Sequence, residues 1–151
     1  MKQSLGQFFT TNYKVILDGM YILDDVFNII EPFTGEGHLL SFIQDTEHCP
    51  QLRYGREQSS CVNKRRSKSK YTVSCFDIDP KTPETIHQDT LLNPPDYKNQ
   101  FVLTNPPYLA RNKSNDKTIF DIYKQNDLYK CFIEILLRDD ERPVGGILII
   151  P

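Results

Sequence analysis

The chain has 151 residues, 38% of them hydrophobic and 25% charged, enough for one domain with a core of its own and ordinary for a globular protein. No apolar run approaches the roughly 20 residues of a membrane span, and Met1-Lys2-Gln3-Ser4-Leu5 lacks the apolar stretch of a secretory signal, so no membrane partner and a cytoplasmic location, or a host-cell interior for a viral protein, are expected. A formal net charge of -2 excludes a broadly basic nucleic-acid binder and confines any DNA contact to a local patch.

Lys14 to Val26 places Ile16, Met20 and Leu23 on one face, with Phe27 following, and predicts an amphipathic helix. Val26-Phe27-Asn28-Ile29-Ile30 is a β-prone run that stops at Glu31-Pro32. Gly35 and Gly37 then precede the apolar stretch Leu39 to Ile43, so the order reads strand, glycine turn, helix. Residues 46–70 break the rhythm: they are polar and carry Arg53, Arg56, Lys64, Arg65, Arg66, Lys68 and Lys70, an inserted basic loop that is either solvated or a phosphate contact. Cys49, Cys61, Cys75 and Cys131 form no CxxC pair and read as reduced thiols, and His48, Cys49 and Cys61 are too uneven to predict a metal site.

Tyr71 to Phe76 is a second β-prone run leading into Asp77-Ile78-Asp79-Pro80, and Phe101-Val102-Leu103-Thr104 a third leading into a double proline. Asn126 or Asp127 can cap a helix whose Leu128, Phe132, Ile135 and Leu136 share a face. Gly145-Gly146 then opens the run Ile147 to Ile150, which reads as a strand buried on both sides. Apolar strands alternating with helices describe an α/β fold, a mostly parallel sheet with helices on both faces, whose ligands bind at the carboxyl ends of the strands.

The strongest chemical signal is the apolar strand running into Asn105-Pro106-Pro107-Tyr108. The exocyclic amine of adenine is a poor nucleophile because its lone pair is delocalised into the ring, so a catalyst must hold that nitrogen with acceptors that favour its tetrahedral form. The Asn105 side-chain oxygen is one acceptor, and the Pro106 carbonyl, aimed by a loop that two prolines stiffen, is a second. Tyr108 has a ring that can stack on a base rotated out of the duplex. The chain supplies its own control: Asn93-Pro94-Pro95-Asp96 follows no β run, ends in an acid and reads as a loop.

Glu31-Pro32-Phe33-Thr34-Gly35-Glu36-Gly37 reads as a nucleoside-binding turn, since its glycines admit close approach to the backbone and the following helix N-terminus favours an anionic group. Asp77, at the end of the next strand, is placed to accept from both ribose hydroxyls, and Ile78 to pack on an adenine ring; the alternative is an acidic turn capping a helix.

On these residues the chain resembles the amino-methyltransferases of restriction-modification systems and related viral enzymes, specifically the N6-adenine class of gamma motif order, over most of its length. Leu5-Gly6-Gln7-Phe8-Phe9-Thr10 is similar to the segment that contacts the methionine end of the cofactor, with Thr11 where the family often has proline. Gln88-Asp89-Thr90-Leu91-Leu92 is similar to the segment whose acid meets the cofactor's adenine amino group. Leu128-Tyr129-Lys130-Cys131-Phe132 resembles the motif whose Phe packs near the cofactor, though core packing is an equal reading of Phe132. The stretch between Glu31 and Asp77 is longer than is typical of the family, an excess that the basic insertion supplies.

The resemblance implies a Rossmann-like fold that binds S-adenosylmethionine and transfers its methyl group to N6 of a flipped-out adenine in DNA. It implies catalytic roles for Asn105, Pro106, Pro107 and Tyr108, and cofactor contacts from Thr10, Glu31, Phe33, Gly35, Gly37, Asp77, Ile78, Asp89 and Phe132. Residues 1–151 then correspond to the front part of a catalytic domain without a target-recognition domain. Implied partners are DNA, a downstream chain or domain completing the enzyme, and a cognate restriction endonuclease. An RNA adenine or protein glutamine methyltransferase, and a non-catalytic fragment that binds cofactor or DNA, stand as alternatives.

Overall fold

The structure, a computed structural model, describes residues 10, 12–22, 25–48, 70–138, 140 and 142–151, with only the backbone of 44–48 considered. Cys49, Cys61 and nearly all of the basic insertion lie outside them, as do Leu5 to Phe9 and Leu23. Five strands, β1 (Asn28–Glu31), β2 (Thr72–Asp77), β3 (Ile86–His87), β4 (Phe101–Thr104) and β5 (Gly145–Leu148), form one sheet in the order β3-β2-β1-β4-β5. Every pairing is parallel. The architecture is therefore α/β, with helices α1 (Tyr13–Ile16), α2 (His38–His48), α3 (Thr118–Tyr123) and α4 (Leu128–Leu136).

Alternation along the strands sends side chains to two separate cores, because successive residues of a strand face opposite sides of a sheet. Ile29, Phe101 and Leu103 pack with Leu39, Phe42 and Ile43 of α2. Ile30 and Val102 pack with Phe120 of α3 and with Phe132 and Ile135 of α4. Leu128, Phe132, Ile135 and Leu136 are all buried, as their helical spacing predicts. Asp127 stands at the α4 N-cap in an extended conformation, but its Oδ1 accepts from Leu109 N at 3.2 Å and makes no bond to the helix it precedes. Among the described residues no helix is long and apolar enough to cross a membrane.

The two ends of the fold differ from the sequence reading. The helix expected over Lys14 to Val26 is the single turn α1, followed by a bend in which Gly19 adopts φ +75°, a conformation that takes the chain out of the right-handed helix. Its buried face changes accordingly: Ile16 and Met20 are 48% and 53% exposed, while Leu17, Ile22 and Val26 enter the core. At the other end the strand starts at Gly145, and β5 is an edge strand that is only half-buried, with Ile147 packed against one core and Leu148 against the other.

Gly146 belongs inside β5 for steric reasons. A Cβ there would stand 2.7 Å from the Val102 carbonyl oxygen, whereas one on Gly145 would meet only the Phe101 ring at 3.4 Å. Gly146→Ala is expected to destabilise the fold by about 1–3 kcal/mol through β4–β5 displacement, and Gly145→Ala by less. The urea unfolding midpoints of the two variants check this.

Candidate active site

In sequence the chain steps outward from β1 through β2 to β3, then returns to the far side of β1 as β4. The strand order thus reverses between β1 and β4, and in open α/β sheets the crevice at such a point, beyond the carboxyl ends of the strands, is where ligands bind. A cavity of about 440 Å³ opens there, within the roughly 300–1,000 Å³ usual for small-molecule sites.

Three turns at the carboxyl ends of β1, β2 and β4 build the cavity, and hydrogen bonds tie the first two together. Gly35 and Gly37 adopt φ +55° and +76°, left-handed conformations that favour glycine. The turn they form is held to β2 by Thr34 N donating to Phe76 O at 2.9 Å and by Gly35 N donating to Asp77 Oδ2 at 2.8 Å. Asp77 Oδ1 accepts from Asp79 N at 2.7 Å, so each carboxylate oxygen carries one backbone bond and keeps capacity for a ligand. From the other side, Thr90 Oγ1 donates to Pro32 O at 3.0 Å, and Asp89 Oδ1 accepts from Leu91 N and Leu92 N.

Glu31 ends β1 at the floor of the cavity and is 1% exposed. Its Oε2 is buried with no hydrogen-bond partner among the described residues. Burial, and secondarily the Asp77 carboxylate, push its pKa well above the ordinary value of 4.5. Cys75, register partner of Glu31 on β2, is pushed up to about 11 by burial first and by Glu31 second.

This shift has a consequence for stability. Between pH 4.5 and the raised folded-state value, the native chain binds a proton that the unfolded chain has released, so the Glu31 contribution weakens as pH rises through that window. Glu31→Gln, which cannot ionise, is expected to melt at a higher temperature than the parent by a margin that widens from pH 5 towards neutrality. A margin independent of pH in paired melting curves would mean that Glu31 titrates as an exposed acid does.

Of the residues singled out in the sequence, Thr10, Glu31, Phe33, Gly35, Asp77, Ile78 and Asp89 line this cavity, together with Asn105 and Pro107. Ile78 is 43% exposed although apolar. Gly37, Pro106, Tyr108 and Phe132 lie off the wall. Gly37 shapes the turn, and Pro106 is fully buried. Phe132 is completely buried and backs Phe33 edge-on, with ring centroids 4.9 Å apart at 80°.

Asn105 Nδ2 donates to Thr10 Oγ1 at 2.9 Å, while its Oδ1 meets the Tyr108 hydroxyl. The other double proline, at 94 and 95, stays in a loop tied down by Gln88 Nε2 bonding to Asn93 O, and does not line the cavity.

One wall went unnoticed in the sequence. Lys113, Ser114, Asn115 and Asp116, on the loop between β4 and α3, face the same cavity. Lys117 Nζ braces that loop through the carbonyls of Arg111 and Ser114, and an Arg111–Asp121 ion pair of 2.7 Å closes it. The usable signal was a polar stretch directly after a strand whose carboxyl end carries chemistry. No protein-family model, curated protein or solved structure matches the chain. The site's chemistry therefore rests on its own residues.

Proposed function

We propose that this site binds S-adenosylmethionine, on a Rossmann-like methyltransferase fold, and directs its methyl group to N6 of an adenine rotated out of DNA. The observation that carries the reading is that Asn105 and Pro107, from the loop after β4, line one continuous cavity with Gly35, Asp77 and Ile78 from the turns after β1 and β2. Spacing in the sequence alone does not bring those groups within one molecule's reach.

The residues present suit that cofactor. Glu31, buried and unpartnered at Oε2 among the described residues, and Asp77 beside it place two carboxyls on the floor, and a ligand carrying positive charge would draw Glu31 towards its ionised form. Asp77 retains acceptor capacity for a ribose, and Ile78 offers an exposed apolar face to a base. The N-terminus of α2, at His38 and Leu39, borders the cavity and favours a carboxylate. When bound, S-adenosylmethionine supplies an electrophilic methyl group on a sulfonium.

The protein's part is positioning. Asn105 Oδ1 is assigned as an acceptor for the adenine amino protons, holding the nitrogen lone pair out of conjugation and directed at the methyl carbon, whereas Pro106, fully buried off the cavity wall, is given no contact with the substrate. DNA is the proposed macromolecular partner, with a completing downstream domain and a cognate nuclease as further proposals.

Labelled methyl transfer to duplex DNA, to RNA and to protein, run beside calorimetry of cofactor binding, tests the reading. Label on DNA adenine is the expected result. Label on RNA or on glutamine amides alone would move the substrate, and binding without transfer to any acceptor would leave a binding module. Absence of cofactor binding would end the proposal.

A further inference from the structure

Between Arg111 and Lys117 the loop after β4 carries three cations, and two of them hold the loop in shape. Arg111 Nη2 pairs with Asp121 Oδ1 of α3 at 2.7 Å. Lys117 Nζ donates to the carbonyls of Arg111 and Ser114. The acid within the loop is engaged as well: Asp116 Oδ1 accepts from Thr118 N at 2.8 Å and from Thr118 Oγ1 at 2.6 Å, at the start of α3. Backbone bonds of 2.9 Å, from Lys113 N to Ala110 O and from Arg111 N to Asn126 O, tie the loop to its own base and to the segment before α4.

Lys113 is the third cation. It is exposed, and its ammonium has no hydrogen-bond or ion-pair partner among the described residues. It is also the only lysine or arginine on the described cavity wall, where it follows Asn105 and Pro107 on the same loop. Glu31, Asp77 and Asp89 reach the cavity from the ends of β1 and β2 and from the segment after β3. A lysine presented by a braced loop, with no acid to neutralise it, suits an anion that arrives with a ligand.

Resting on the methyltransferase reading above, we propose that Lys113 grips a backbone phosphate of the strand that carries the target adenine, which makes the acceptor a nucleic acid and not a protein amide. Two anions share the chemistry it would recognise, the carboxylate of the cofactor and the phosphate of the acceptor, and position favours the second. The N-terminus of α2, at His38 and Leu39, already offers the carboxylate a site on the β1 side. A base delivered to Asn105 leaves its sugar and phosphate outside the cavity, at the exposed rim where Lys113 stands. Phosphate contacts of this kind position a strand without reading its sequence, and a chain of net charge -2 makes them locally.

Lys113→Gln removes the charge at an exposed position and is expected to melt with the parent. KM for duplex DNA should rise by about fivefold, the upper end for an exposed ion pair, with kcat within about twofold. The plot of log KM against log salt concentration should flatten by about 0.9, the share of one phosphate. Lys113→Arg should restore both values, and Lys98→Gln, at an exposed lysine before β4 that does not line the cavity, should change neither. Calorimetric affinity for the cofactor should match the parent's. An unchanged salt slope in Lys113→Gln would overturn the inference, and a loss of cofactor affinity would assign Lys113 to the carboxylate instead. Label on glutamine amides alone would also overturn it, with methyl transfer left standing. If the parent methylates no acceptor, the methyltransferase reading fails, and the salt dependence of binding to a fluorescein-labelled duplex decides the phosphate contact by itself. There, equal slopes for parent and Lys113→Gln, or no binding by the parent, reject the contact.

Discussion

Asn105→Ala is expected to lower methyl transfer by about 100–1,000-fold, the usual cost of removing one preorganised polar group from the transition state. Cofactor affinity should stay within about threefold of the parent, because Glu31 and the Gly35–Asp77 bond lie on the β1 and β2 side of the cavity. The asymmetry is the diagnostic: a side chain that only shaped the pocket would weaken binding and transfer together. Single-turnover rates and calorimetric titration, run on parent and variant with matched melting curves, give both numbers. A variant that methylates at the parental rate removes Asn105 from the mechanism.

The second large effect is on stability. Phe132 is fully buried, edge-on to Phe33 at 4.9 Å and to Tyr97 at 6.0 Å and 71°. Phe132→Ala therefore opens a cavity in the core between the sheet and α4, and is expected to cost about 3–5 kcal/mol. That is a large share of the roughly 5–15 kcal/mol that holds a domain folded. Phe33 lines the ligand cavity, so loss of its backing should also loosen the wall. Denaturant unfolding checks the first part. If the variant instead kept its stability and lost only cofactor affinity, Phe132 would be a ligand contact.

Much of the central architecture was legible because it depends on short-range patterns. Ile29-Ile30 and Phe101 to Leu103 are apolar on both faces, which marks strands covered by helices on both sides, and they form β1 and β4. Gly35 and Gly37 sit where the chain needs positive φ, and Leu128, Phe132 and Ile135 repeat at the helical period. The first helix failed for the opposite reason. Its expected stripe of Ile16 and Met20 was a pattern without a partner, and the bend at Gly19 gives the core contacts to Leu17 and Ile22. The short β3 and α3 carry too few residues for a period to register, and neither was anticipated.

Within the candidate site the division is the same. The sequence by itself determined which residue types stand at the strand ends: Glu31, Gly35, Asp77 and Asn105 follow from local runs and the turns that stop them. Only the tertiary structure decided that the β1–β4 return brings these turns to one cavity, that Lys113 to Asp116 close its far wall, and that Tyr108 meets Asn105 with its hydroxyl. Spacing along a chain constrains a turn of a few residues. Contacts such as Thr10 with Asn105 join segments 95 positions apart, and their geometry is set by how the sheet orders its strands and how the helices pack on it.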